Sequence, residues 1–166
     1  MYKNQILLPV DELPTKWYNI IPDLPEPLPP PKEPEIGPSR MEFLQKTLVR
    51  ECLRQELSNE RWIPIPDEIQ QLYIQAGRPR PLYRALRLEK RLGLKKVRLY
   101  YKREDLSPTG SHKVNTALAQ AYYAAEEGKT TLVTETGAGQ WGTALAYAAS
   151  LMDMDCVIFW VRSVYD

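Results

Sequence analysis

Thr130-Thr131-Leu132-Val133-Thr134 is an apolar, β-branched run; Glu135 closes it, and Thr136-Gly137-Ala138-Gly139-Gln140-Trp141-Gly142 follows at once. Branched side chains suit a pleated strand, and glycines at 137, 139 and 142 suit a turn that opens a helix. The pattern continues in both directions. Downstream, residues 141–152 read as a helix and 156–161 as a strand of nearly continuous apolar character. Upstream, 97–101 reads as a strand and Ser107-Pro108-Thr109-Gly110 as a turn, while Val114, Ala117, Leu118, Ala121, Tyr122 and Ala125 give the stripe of a helix that Gly128 ends. Strands alternating with helices predict an α/β domain, a three-layer parallel sheet with flanking helices. In such sheets ligands collect beyond the carboxyl ends of the strands, where the turn before Lys113 and the loop after Glu135 both fall.

The rest of the chain is read outward from that unit. Residues 22–38 carry so many prolines that fixed φ angles and missing N–H donors exclude helix and central strand alike, which predicts an extended arm over residues 1–38. Between 39 and 60 the spacing of Phe43, Leu44, Leu48, Leu53 and Leu57 predicts a helix, and a second short one runs from near Asp67 to Gly77. Arg78-Pro79-Arg80-Pro81-Leu82 is too proline-dense for regular structure, and a further helix over 86–92 is capped by Gly93. The expected division is thus an arm (1–38), a helical segment packed on the core (39–96) and a truncated α/β portion (97–166).

Composition narrows the function. Among 166 residues, 43% are hydrophobic, enough for one domain and its core. With 22 basic against 21 acidic residues, no excess of charge points to nucleic acid or to an anionic membrane surface, and a small molecule is the expected partner. Cys52 and Cys156 are far apart and unpaired in sequence, so both are expected to be reduced, packed residues and no metal site is expected. The start of the chain suits neither a signal peptide nor a membrane span, and a cytoplasmic location is expected.

Ser111-His112-Lys113-Val114-Asn115 stands at the start of one predicted helix and the glycine-rich run at the start of another. A lysine can hold an aldehyde cofactor covalently, a carboxylate can move protons beside it, and free N–H groups at a helix start can grip an anion. His112 can donate to a phosphate, and Asn115 offers both a donor and an acceptor. The competing reading is that Gly137 to Gly142 satisfies Gly-x-Gly-x-x-Gly after a strand and before a helix, the setting of a dinucleotide loop. Against it, Glu135 puts a negative charge at the loop mouth, and Arg162 stands where an acid should meet the ribose hydroxyl, although a guanidinium there would suit an NADP 2′-phosphate.

Three ordered runs, Lys102-Arg103-Glu104-Asp105-Leu106, Thr109-Gly110-Ser111-His112-Lys113-Val114-Asn115 and Glu135 through Gly142, resemble the signatures of the tryptophan synthase beta chain family. The resemblance extends over residues 17–166. The proline-rich arm and Trp141, where the common branch has histidine, make the chain similar to the second, longer-armed branch. Arg80 departs from the pattern, standing where the family has threonine in a Pro-Thr-Pro-Leu run.

That resemblance implies a pyridoxal 5′-phosphate enzyme of fold type II that makes L-tryptophan from L-serine and indole. By position, Lys113 would hold the cofactor, His112 would face its phosphate with Asn115 nearby, and Glu135 would be the acid/base carboxylate, partly buried. Thr136, Gly137, Ala138, Gly139 and Gln140 would bind the substrate carboxylate. The family's downstream glycine-rich run for the cofactor phosphate is not in this sequence. The expectation is therefore the N-terminal part of a beta-type chain, inactive or nearly so alone, assembling as a homo-oligomer or with a complementing C-terminal half, an alpha subunit being a further possible partner. An NAD(P)-binding domain, a non-catalytic assembly partner, and a donor such as O-phosphoserine or threonine in place of serine stay open at this point.

Overall fold

The computed structural model describes residues 4–162. In chain order its elements are β1 (Gln5–Ile6), β2 (Lys16–Tyr18), α1 (Arg40–Thr47), α2 (Arg50–Glu56), β3 (Trp62–Pro64), α3 (Asp67–Gln75), β4 (Leu82–Arg84), α4 (Leu86–Arg91), β5 (Tyr100–Lys102), α5 (Lys113–Glu126), β6 (Thr131–Thr136), α6 (Gln140–Leu151) and β7 (Asp155–Trp160), joined in places by short 3₁₀ turns.

The stretch around Glu135 folds as a βαβ unit. β6 and β7 pair in parallel, from Thr131 opposite Asp155 to Thr136 opposite Trp160, and α6 makes the crossover between them. α6 lies on both strands, α5 packs beside α6, and α3 and α2 pack on α5. Alanines at 117 and 121 on α5, and at 144 and 148 on α6, recur every four residues and so line one face of each helix. All four are fully buried, and with Leu118, Val114, Leu145 and Ile69 they form the core. Gly128, at φ +72°, ends α5: its N–H reaches the Ala125 carbonyl and that of Lys129 reaches Ala124.

Among the described residues, helices cover one face of the β6–β7 pair. Leu132, Thr134, Thr136, Cys156 and Ile158 alternate toward that side, while Val133, Glu135, Val157 and Phe159 are exposed on the other. Val133 stands opposite Val157, and Glu135 opposite Phe159.

The strand expected at 97–101 differs in position and partner. It forms at Tyr100–Lys102 and pairs antiparallel with β4, which in turn pairs with β1, making a sheet separate from the parallel pair. The buried Glu89 explains the late start: its carboxylate accepts from the Leu99 N–H at 2.8 Å and grips Arg84 through two bonds of 3.0 and 2.8 Å. β4 starts at Leu82, the last residue of the proline-dense run, and continues to Arg84, so the run stays irregular up to Pro81.

The helix expected over 39–60 is two helices. Ser39 and Glu42 form a capping box that starts α1, and extended backbone at Leu48 and Val49 breaks the run. The arm also divides. Beyond a 3₁₀ turn at Ile21–Asp23, residues 24–38 have no regular structure, but β1 and β2 belong to sheets, and Trp17 meets Tyr123 of α5 edge-on at 6.4 Å. Cys52 and Cys156 are free and pack against the core. Burial, with Glu51 and Glu127 adding to it, pushes the Cys52 thiol up to about 11. No described helix is long and apolar enough to cross a membrane.

Candidate active site

Lys113 is the first residue of α5, and the turn before it is built by two serines. Ser107 is buried; its hydroxyl donates to the Ser111 carbonyl at 2.8 Å and accepts from the Ser111 N–H at 2.9 Å. Gly110, at φ +68°, lets the chain reverse between them. Two hydroxyls of this turn, Thr109 Oγ1 and Ser111 Oγ, are buried without a hydrogen-bond partner among the described residues. A buried hydroxyl left unpaired costs on the order of 1–3 kcal/mol, so the turn is chemically unfinished.

The second loop is unfinished in a complementary sense. Gly139 takes the left-handed conformation at φ +90° and starts α6 with no side-chain cap. Among the described residues, no protein acceptor meets the N–H groups of Gly137, Ala138 and Gly139. Three unpaired donors at a helix start form a nest for an anion. Thr136 sets the loop's rear wall: it is buried, and its hydroxyl accepts from the Gly142 N–H at 3.2 Å. Trp141 Nε1 donates to Thr134 Oγ1 at 2.8 Å, which ties the helix back to the strand.

The two loops meet across a cavity of about 470 Å³. Pro108 and Thr109 come from the first, Thr136, Gly139 and Gly142 from the second, with Tyr147 and Trp160 completing the wall. Of the residues expected from sequence, Thr136 and Gly139 line it; Gly137, Ala138 and Gln140 lie at the exposed rim of the same loop. Lys113 is half-buried, His112 and Glu135 are exposed, and none of the three lines this cavity. Among the described residues the side chains of all three are without hydrogen-bond or ion-pair partners, so each is free to act on a ligand. Glu135 is not buried as expected, because the period of the strand puts it on the open face beside Val133 and Phe159.

Asn115 is the residue whose surroundings differ most from expectation. Its side chain is already committed: Oδ1 accepts from Arg80 at 3.1 Å and Nδ2 donates to Glu104 at 3.2 Å. Arg80, which carried no assigned role in the sequence, is buried to 2% exposure and is the centre of this cluster. It forms a 2.8 Å ion pair with Glu104 and donates to the Ala76 carbonyl at 2.8 Å. Desolvation pulls the guanidinium's proton affinity down, and the Glu104 carboxylate opposes that. The signal was present as a long cation between two prolines in a run where threonine is usual, but sequence offers no partner for it.

Comparison with known proteins follows the same residues. The chain is 58% identical over 159 residues to a protein named tryptophan synthase beta chain 2 from Methanothermobacter thermautotrophicus, covering 96% of this chain and 37% of that one. It is 55% identical to tryptophan synthase beta chain 1 of Sulfurisphaera tokodaii, covering 94% of this chain and 37% of the relative. It is 51% identical to tryptophan synthase beta chain 2 of Pyrococcus abyssi, with 97% and 37% covered. The chain thus spans little more than a third of the length of these relatives. Residues 73–164, more than half of the sequence and including both loops, match the model of the pyridoxal-phosphate dependent enzymes, and the chain belongs to that family.

Proposed function

We propose that this chain carries the lysine-bearing part of an enzyme that makes L-tryptophan from L-serine and indole with pyridoxal phosphate. The observation that carries the reading is the pairing, among the described residues, of an uncommitted lysine at the start of α5 with three unpaired amides at the start of α6, their loops meeting across one cavity. The residues present fit the family's cofactor at its aldehyde end: Lys113 Nζ is available for covalent attachment, and buried hydroxyls at Thr109 and Ser111 await polar partners. The relatives' name, tryptophan synthase beta chain, supports tryptophan as the product.

When bound, the cofactor supplies an electron sink for the amino acid's α-carbon. Lys113 would hold it covalently through its side-chain amine. The N–H groups of Gly137, Ala138 and Gly139, between Thr136 and Gln140, hold the substrate carboxylate, and that anchor fixes which face of the α-carbon is presented. His112 would donate to its phosphate. Glu135 would give a proton to the departing serine hydroxyl and take one back as indole adds. Asn115 acts on the cofactor side indirectly, since both ends of its amide are already engaged by protein. The Gly-x-Gly-x-x-Gly run lies inside the family match, which leaves the dinucleotide reading without an observation of its own.

The proposed partners are a further copy of the chain or a complementing C-terminal half, with an alpha subunit in addition. Borohydride reduction of the purified chain with pyridoxal phosphate, followed by peptide mapping, tests the reading. The pyridoxyl group is expected on Lys113; scattered labelling, or binding of NADP in place of the aldehyde, would overturn it.

A further inference from the structure

Arg80 is held between Pro79 and Pro81, whose fixed φ angles and missing N–H groups leave its side chain little backbone slack. Its guanidinium ties the nearby end of α3 to two segments that are remote in sequence. Nη2 donates to the Ala76 carbonyl at the end of α3, and Nη1 donates both to Glu104 and to Asn115 in the first turn of α5. Glu104 in turn accepts from Asn115, so the three side chains close a triangle. Only one orientation of the Asn115 amide satisfies it, with the oxygen toward the guanidinium and the nitrogen toward the carboxylate.

Among the described residues no other side-chain hydrogen bond reaches the first turn of α5, which is otherwise held by the buried Val114 and by the Ser107–Ser111 bonds before it. His112, its N-cap, is in helical conformation and makes no side-chain capping bond. A helix advances about 100° per residue, so Asn115 points about 200° away from Lys113 around the axis. Clamping Asn115 on the interior side therefore sets the direction in which Lys113 leaves the opposite side. The clamp is a neutral pair, a guanidinium and a carboxylate, and it adds no net charge beside the lysine.

We propose that Arg80 is a positioning residue for Lys113, acting through Asn115: the Arg80–Glu104–Asn115 triangle, centred on the buried Arg80, replaces the missing helix cap and fixes the rotation of the first turn of α5. The proposal rests on the reading of Lys113 given above, and two measurements separate the failure of one from the failure of the other. The first is amide hydrogen exchange of the α5 first turn without cofactor. The second is the share of pyridoxyl label on Lys113, relative to the other lysines, after borohydride reduction with pyridoxal phosphate. Both are made on Arg80→Met, Arg80→Lys, Asn115→Ala and the double variant Arg80→Met/Asn115→Ala, with the thermal midpoint recorded for each.

Arg80→Met is expected to lower the Lys113 share by about fivefold or more, the scale of one lost hydrogen bond, and to speed exchange in that turn. Asn115→Ala removes the link while leaving the Arg80–Glu104 pair, and is expected to do the same with little change in the midpoint. The double variant is expected to be no worse than the worse single one, because both act on one path. Arg80→Lys, which keeps the charge but not the fork, recovers part of the share. Unchanged labelling and exchange in Asn115→Ala, or additive losses in the double variant, would overturn the proposal, and that variant keeps the test alive if Arg80→Met does not fold. Should the unaltered chain fail to label Lys113, the cofactor reading fails, and exchange at the turn still decides on the clamp.

Discussion

A glycine with a neighbour across its missing Cβ is a sharp constraint, and Gly139 has one. An added Cβ would stand 2.7 Å from the Trp160 ring, at a backbone φ of +90° that side chains rarely adopt. Gly139→Ala is expected to cost at least about 1–2 kcal/mol from the backbone alone, with the ring displaced in addition. Chemical denaturation followed by tryptophan fluorescence checks this. A Trp160→Phe background, which removes the clashing ring atoms, is expected to return part of the loss, and equal losses in both backgrounds would show that the ring is not the obstacle. Buried ions set the other constraint at this scale. Removing Glu104 strands the buried Arg80, whereas removing Arg80 leaves Glu104, whose side chain is 24% exposed, within reach of water, so the first change is expected to cost more than the second.

Among the elements, β4, α4 and β5 are joined by one carboxylate. Glu89 is buried, and the Arg84 side chain beside it, with the Leu99 N–H, holds its carboxyl below the usual carboxylate range. A depressed folded value means that the unfolded chain takes up the proton first as pH falls. The stabilisation is therefore present above the unfolded value near ~4.3 and is lost as pH drops through the lower folded one. Thermal midpoints measured from about pH 6 to about pH 3 should fall for the native chain. In Glu89→Gln the midpoint is expected to start lower, and the part of the decline due to this carboxyl should vanish; parallel curves would contradict the assignment. At the same scale, Ser39→Ala removes the capping box of α1, a loss of about 1 kcal/mol expected as faster amide exchange in Arg40–Thr47, with the core midpoint nearly unchanged because that helix buries none of its residues.

For the whole molecule the open face of the β6–β7 pair dominates. Val133 is 65% exposed and Phe159 64%, with Val157 beside them, on the face opposite α6. A contiguous apolar patch on a sheet drives association in water. Sedimentation of the purified chain is expected to show concentration-dependent self-association, and Phe159→Glu is expected to reduce it. An unaltered monomer at all concentrations would mean that this face is not the one that associates. Glu135 lies on the same face, so whatever covers it also takes the candidate proton-transfer carboxylate out of bulk water and changes its environment.

Legibility followed the range of the interaction. The βαβ unit, the ends of α5 and the glycine-rich loop could be read directly, because alternation, the alanine stripe and glycines at positive φ are local signals that each stretch carries by itself. So could the residue types at the site: Lys113 at a helix start and the amide nest after Thr136 follow from where one strand stops and one helix begins. The antiparallel pairing of β5 with β4 could not, since the Glu89 carboxylate that fixes Leu99 acts across the chain. Nor could the split between α1 and α2, where no glycine or proline marks the break at Leu48 and Val49. The occupation of Asn115 by Arg80 and Glu104 was equally hidden, because a buried cation chooses its partners only once α3, the 3₁₀ turn at Glu104–Leu106 and α5 have packed around it. Sequence by itself thus determined the local elements and the chemical groups on offer, through short-range backbone preferences; the tertiary structure alone decided which of those groups remain free and which are consumed in holding the others in place.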